Sequence, residues 1–124
     1  MKLEARYPYE AAVTAYGNGG FRFADMSHRG SILCLPSGVY AWEPVSAADL
    51  TLAHFARVLS EMKPQSVLLL GTGMTQVFPA EELTRAFAHA GIGLEPMSTG
   101  AAARTYNILL AEKRAVGAAL IAVD

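Results

Sequence analysis

The first third of the chain alternates short apolar runs with turn residues, a pattern typical of antiparallel strands. The apolar run at residues 12–16 is followed by Gly17-Asn18-Gly19-Gly20, and glycine and asparagine tolerate the positive φ of a tight hairpin turn. Further short apolar or alternating runs lie at residues 21–23, 31–35 and 39–42. The pattern predicts a unit of β hairpins over residues 1–45.

The pattern changes at residue 46 to alternating helix and strand. Ser46 is the predicted N-cap of a first helix that stops before Pro64. The continuous apolar run at residues 67–70 predicts a central strand that is covered on both faces. The apolar stripe of the first helix recurs at three- and four-residue spacing: Leu52, Phe55, Ala56, Leu59 and Met62.

A second helix is expected to begin at Pro79 and to end at Gly91, with two glutamates in its first turn. A strand at 92–97, a helix at 100–114 capped by Ser98 or Thr99, and a last strand at 116–123 complete the series. These βα repeats predict parallel pairing with helices packed on the sheet. The expected fold class is therefore α/β, with N-terminal antiparallel β hairpins followed by a βαβαβ-type parallel unit.

Length and composition fit a single domain spanning residues 1–124. Apolar residues make up 52% of the chain and charged residues only 17%, so either the core is unusually well filled or part of the apolar surface meets a partner. The net charge of -1 gives no field that would attract nucleic acid or anionic lipid. We therefore expect protein or small-molecule partners and no nucleic acid.

Cysteine usage and the hydropathy pattern favour the cytoplasm. The chain has one cysteine, Cys34, set in an apolar run that predicts a buried, unreactive thiol. No apolar stretch approaches the roughly 20 residues that a membrane-spanning helix needs, and residues 1–8 lack the apolar run of a secretory signal. We expect a cytoplasmic protein without a membrane span.

One candidate ligand site lies where the predicted parallel strands end. The residues concerned are Gly71, Thr72 and Gly73 after one strand, Ser98 and Thr99 after the next, and Arg104 and Asn107 on the following helix. Ligands of open α/β sheets bind at this edge, and a helix N-terminus with nearby donors suits phosphate or a carboxylate. The alternative is structural: the glycines permit a turn, Thr99 caps the helix, and Arg104 pairs with a carboxylate such as Glu95.

Patterns for catalysis or metal binding are lacking in the sequence. The three histidines, His28, His54 and His89, lie on a predicted loop and two different helices without metal-ligand spacing. Glu81 and Glu82 are adjacent and therefore point about 100° apart on a helix. The sequence thus names no catalytic residue, no metal and no cofactor, and it leans away from an enzyme.

Several motifs resemble the domain-of-unknown-function 498 family. They are the Gly-Phe turn at residues 20–21, Trp42, the strand followed by Gly-Thr-Gly at 71–73, and the segment GIGLEPMSTGAAARTYNILLAEKR at 91–114. Arg104-Thr105-Tyr106-Asn107 is the most specific piece, and Ser98 departs from the aspartate that is frequent in the family. The resemblance implies a three-layer α/β fold with a mixed sheet. For the eukaryotic branch it also implies help in assembling a mitochondrial respiratory complex through protein contacts.

Two functional classes follow from these observations. The first is a protein-interaction or assembly-factor-like module, which the low charge and the expected exposure of Phe21, Trp42 and Phe78 favour. The second is an enzyme or sensor that binds a small anion in the strand-end pocket. A purely structural homo-oligomer is a third alternative.

Overall fold

The computed structural model describes residues 5–124. Eight strands and three α-helices follow one another along these residues, with two short 3-10 helices, Ala47–Asp49 and Leu52–Phe55, before the first α-helix. The elements are β1 (Val13–Gly17), β2 (Gly20–Phe23), β3 (Met26–Arg29), β4 (Ser31–Leu35), β5 (Gly38–Trp42), α1 (Ala56–Glu61), β6 (Val67–Gly71), α2 (Glu81–Ala90), β7 (Gly93–Met97), α3 (Thr99–Ala111) and β8 (Val116–Leu120).

Strands β1, β2 and β3 form a three-stranded antiparallel sheet in sequence order. Both hairpins close through two-residue turns whose central residues have positive φ: Asn18 and Gly19 in the first, Ala24 and Asp25 in the second. Turns of this kind match the right-handed twist of paired strands. The first turn confirms the hairpin that the glycine and asparagine cluster predicts.

The other five strands form a mixed sheet in the order β5-β4-β8-β6-β7. Strand β6 pairs in parallel with β7 on one side and with β8 on the other, whereas β4 joins β8 in antiparallel register. The predicted parallel unit is thus confirmed, and the last strand of the chain connects it to the antiparallel part. The strand predicted to be central, β6, lies inside the sheet next to the middle strand, β8.

Two apolar clusters cover the two faces of the five-stranded sheet. Along β6, Leu68 and Leu70 point into one cluster and Leu69 into the other, as the two-residue period of a strand requires. The first cluster includes residues of the 3-10 turns, α1 and α2, and the second includes residues of α3 and the three-stranded sheet. The mixed three-layer α/β fold is therefore confirmed.

Several predicted elements differ from the structure. Helix α3 ends at Ala111 instead of 114, and β8 ends at Leu120 instead of 123. The single helix expected after Ser46 is divided: Ser46 caps only the first 3-10 turn, and α1 is six residues long. Helix α2 starts at Glu81 rather than at Pro79. The sequence predicts a loop at His28, because the polar segment Met-Ser-His-Arg lacks an apolar run. In the structure this segment is strand β3, which forms by pairing with β2.

The expectation of exposed aromatic residues was wrong for two of the three positions. Phe21 and Trp42 are buried; the indole N–H of Trp42 donates to the carbonyl of His54 (2.9 Å), and its ring packs edge to face on Phe55. Phe78 is exposed, with 76% of its surface accessible. Strand pairing decides this outcome, because it directs Phe21 and Trp42 inward while Phe78 lies on a loop.

Among residues 5–124, every helix is too short or too polar to traverse a lipid bilayer.

Candidate functional site

The carboxyl ends of the three parallel strands meet the start of α3 at one edge of the sheet. Three backbone hydrogen bonds connect them: Thr72 N to Met97 O, Thr99 N to Gly73 O and Ile121 N to Gly71 O, each 2.8–3.0 Å long. Five of the seven predicted site residues, Gly71, Thr72, Gly73, Ser98 and Thr99, are thereby brought together.

Side-chain hydroxyls strengthen these connections. Thr99 is fully buried; its hydroxyl donates to Ile121 O (2.7 Å) and accepts from Gly73 N (3.0 Å). A Cβ on Gly71 would come within 2.9 Å of the Thr99 Cα, so only glycine allows the strand to pass this close to the helix. The Gly-Thr-Gly segment and Thr99 therefore hold β6, α3 and the end of β8 together.

The N-terminus of α3 is largely occupied by the protein itself. Ser98 is its N-cap and accepts from Ala101 N (3.3 Å), while the Thr99 N–H is bonded to Gly73 O. The hydroxyl of Tyr16 packs against Gly100. These contacts leave little of the first turn open to a ligand; anion binding there stays a prediction.

Arg104 and Asn107, the other two predicted site residues, face β1 instead of the strand ends. The Asn107 side chain accepts from Val13 N (2.8 Å) and donates to Val13 O (2.7 Å), which is the pairing that a neighbouring strand would make. Arg104 donates to the Tyr16 hydroxyl (3.3 Å), and its expected pairing with Glu95 is not found within residues 5–124. Asn107 thus anchors the three-stranded sheet to α3.

A cleft of about 570 Å³ opens at the carboxyl edge, bounded by the loop after β6, the 3-10 turn at Ala47 and the last residues of the chain. Val45, Met74 and Val77 line it, and Phe78 follows directly. Val45 is 79% exposed and Met74 75% exposed. Three exposed apolar side chains thus line the cleft, and together with the exposed Phe78 next to Val77 in the chain we call them the apolar rim: Val45, Met74, Val77 and Phe78.

The loop that carries most of this rim is held in place by polar contacts. The Thr72 hydroxyl lies 2.7 Å from Thr75 O and 3.1 Å from Met97 O, and it accepts from Val77 N (3.0 Å). Gln76 donates from its side chain to Pro96 O (2.9 Å). The apolar side chains thus project from a fixed backbone.

A second concavity, of about 430 Å³, lies on the three-stranded sheet. It is lined by residues 15–18, 20–22 and 27–29, among which Arg22 and Arg29 carry the charge. Burial and the positive charge of Arg6 lower the pKa of His28, which also lines it. We call this concavity the sheet trough.

Two titratable side chains are buried between α3 and the sheets. Burial raises the pKa of the Cys34 thiol to about 12, so the thiol stays protonated and unreactive at neutral pH. The Tyr106 hydroxyl is buried and has no hydrogen-bond partner among residues 5–124, and burial raises its pKa as well. No group of three histidine, cysteine, aspartate or glutamate side chains in the described part of the chain is placed to hold a metal ion.

Comparison with known proteins identifies the family. Residues 13–121 match the model of "Protein of unknown function (DUF498/DUF598)". The chain belongs to this family. The match includes every strand, every α-helix and all seven predicted site residues.

Relatives of the chain occur in bacteria and in animals. An uncharacterised protein of Rhodobacter capsulatus is 35% identical over 88% of this chain and 82% of its own length. NADH dehydrogenase (ubiquinone) 1 alpha subcomplex assembly factor 3 of Mus musculus is 28% identical over 96% of this chain, which spans 64% of that protein. The chain thus corresponds to just under two-thirds of the assembly factor.

A crystal structure confirms the fold. A protein from Bartonella henselae, described as an outer membrane protein, is 49% identical and superposes with a TM-score of 0.90 over 96% of this chain and 100% of that one.

Sequence reasoning missed the apolar rim apart from Phe78. The signal was present, because Met74, Val77 and Phe78 are apolar residues in a segment between Gly73 and Pro79 that has neither helix nor strand pattern. Apolar side chains in such a loop have no sheet or helix face to cover, which favours exposure.

Proposed function

We propose that the chain is a protein-binding module that assists the assembly of a multi-subunit complex, and that its partner docks on the apolar rim of the carboxyl-edge cleft. The observation that carries the proposal is the exposure of Val45, Met74 and Val77 around one cleft, with the exposed Phe78 next in the chain. Clustered apolar surface of this kind is typical of protein interaction sites.

The fixed backbone of the rim supports protein binding. Because Thr72 and Gln76 already hold the loop, little conformational entropy is lost when a partner covers Met74 and Phe78. Among the described residues that line the cleft, Asp124 is charged and none is arginine or lysine. This composition suits an apolar protein segment better than a small anion. A protein partner therefore fits this cleft better than the phosphate considered from the sequence.

The animal relatives suggest the kind of complex. Their name describes an assembly factor for NADH dehydrogenase, and this chain shares their family. We propose that a subunit of the respiratory NADH dehydrogenase binds the rim and that binding occurs on the cytoplasmic side. A single, buried cysteine fits a reducing compartment.

Photo-crosslinking in living host cells tests the proposal. A photoreactive phenylalanine analogue is placed at position 78 in one variant and at position 108 in a control, because Ile108 is also apolar and 60% exposed but lies on α3. We expect subunits of NADH dehydrogenase to crosslink to position 78 and not to position 108. Equal crosslinking at both positions, or products without any such subunit, would contradict the proposal.

A further inference from the structure

We propose that the sheet trough binds a small molecule bearing two linked phosphoryl groups, held between Arg22 and Arg29. This site is distinct from the apolar rim and from the strand-end residues that the sequence singles out.

Strand register places the charged residues of the trough on the outer face of the three-stranded sheet. Arg22 is paired with Ser27 and with Ala15, and Arg29 is paired with Gly20. Paired residues share a face, and that face is opposite to the one on which Phe21 and Phe23 are buried. Arg22 and Arg29 are therefore diagonal neighbours on the same side of the sheet.

Small residues between the arginines make the surface concave. Ala15, Gly17 and Gly20 share the outer face, so no large side chain fills the space above the backbone. Gly20 cannot be replaced without displacing the backbone carbonyl of His28. The trough, of about 430 Å³, can hold a compact ligand such as pyrophosphate.

No carboxylate among residues 5–124 pairs with the guanidinium group of Arg22 or Arg29. Arg22 donates to the Ser27 hydroxyl (2.7 Å). The Arg29 side chain reaches the first hairpin turn, where a Cβ added to Gly19 would lie 3.6 Å from the Arg29 Nη1 atom. Within residues 5–124 the ion pairs are those of Arg85 with Glu81 and of Arg114 with Glu112. Arg22 and Arg29 thus keep their charges available.

Arg22 and Arg29 supply the positive field of the trough, because they are the charged residues among those that line it. The whole chain has a net charge of -1, so the positive potential here is a local property of this face. A planar guanidinium binds phosphate oxygens in a bidentate manner, and two of them suit two linked phosphoryl groups.

A titration of the ¹⁵N-labelled chain with pyrophosphate, followed by amide NMR at constant ionic strength, tests the proposal. We expect saturable shifts confined to β2, β3 and the turn at Asn18-Gly19. Arg22→Gln and Arg29→Gln should each weaken binding by about tenfold or more, whereas Arg85→Gln should leave it unchanged. Shifts that do not saturate, or that are equally sensitive to Arg85→Gln, would overturn the proposal.

A second arm separates a small phosphorylated ligand from an acidic protein segment. Hexaglutamate is titrated under the same conditions, with constant ionic strength because exposed charges are screened by salt. Tighter binding of pyrophosphate supports the proposal, and tighter binding of hexaglutamate overturns it. None of the substituted residues belongs to the apolar rim. A negative pyrophosphate titration therefore does not bear on partner docking at the rim, and a negative crosslinking experiment does not bear on the trough.

Discussion

At the scale of single residues, Asn107 shows how a side chain can replace a strand. Its amide oxygen and nitrogen bond the N–H and the C=O of Val13, a residue 94 positions earlier in the chain. A backbone amide offers the same pair of groups, and asparagine is one of the few side chains with both a donor and an acceptor in one plane. The three-stranded sheet therefore depends on this contact for part of its attachment to α3.

Replacing Asn107 by alanine tests that dependence. We expect Asn107→Ala to lower the free energy of unfolding by about 1–3 kcal/mol, because both backbone groups of Val13 lose their partner. Urea unfolding provides the measurement, and Ile108→Ala on the exposed side of the same helix is the control, with little change expected. Equal midpoints for the two variants would show that the amide contributes nothing to attachment.

At the scale of elements, helix ends and turns are determined locally. Helix α2 ends at Gly91, whose φ of 74° is left-handed, and its amide bonds back to Ala88 O. Glycine adopts this conformation without the steric cost that other residues incur. The sequence predicted this helix end correctly because the signal is a single residue at a defined place.

Gly91→Ala should therefore destabilise the protein. We expect a loss of about 1–2 kcal/mol from the left-handed backbone alone, and an added Cβ would also lie 3.3 Å from the Pro64 Cβ. The matched control is Gly93→Ala, where the new Cβ meets Val67 at an ordinary 3.5 Å. Thermal unfolding of the two variants is the measurement, and equal melting temperatures would contradict the assignment of strain to Gly91.

The first predicted helix shows where local signals are insufficient. Its apolar spacing from Leu52 to Met62 is helical, yet the chain forms two 3-10 turns before α1. Thr51 starts the second turn: its N–H donates to the His54 ring (3.0 Å). The carbonyl of His54 accepts from the Trp42 indole. The break in the predicted helix thus coincides with a hydrogen bond between His54 and Trp42 of β5. The apolar spacing of residues 52–62 carries no information about this contact.

At the scale of the whole molecule, the apolar residues fall into two groups: those buried in the core and those exposed on the surface. Phe55 is fully buried between Trp42 and Phe87, with both rings edge to face. Phe78 is of the same residue type and is mostly exposed. Composition alone left open whether the surplus of apolar residues fills the core or covers a surface, and the structure shows both.

A matched pair of substitutions measures this separation. We expect Phe55→Ala to cost about 3–5 kcal/mol of stability because it leaves a core cavity, and Phe78→Ala to change stability by less than about 0.5 kcal/mol. Urea unfolding gives both values. A large loss of stability in Phe78→Ala would mean that this ring serves the fold, and the proposed docking surface would lose its main residue.

The sequence determined by itself the class of each long element, the turn at Gly17-Asn18-Gly19-Gly20, the end of α2 and the capping of α3 at Ser98 or Thr99, of which the structure selects Ser98. These are local properties, since backbone conformation and capping depend on residues a few positions apart. The family motifs added the three-layer arrangement.

Only the tertiary structure decided which distant residues meet. It inserted β8 between β4 and β6, directed Arg104 and Asn107 to β1, and placed Arg22 and Arg29 on one face of a sheet. It also gave the loop after β6 its exposed apolar rim. The physical reason is that strand order and facing depend on contacts between residues far apart in sequence, whose energies no local pattern encodes.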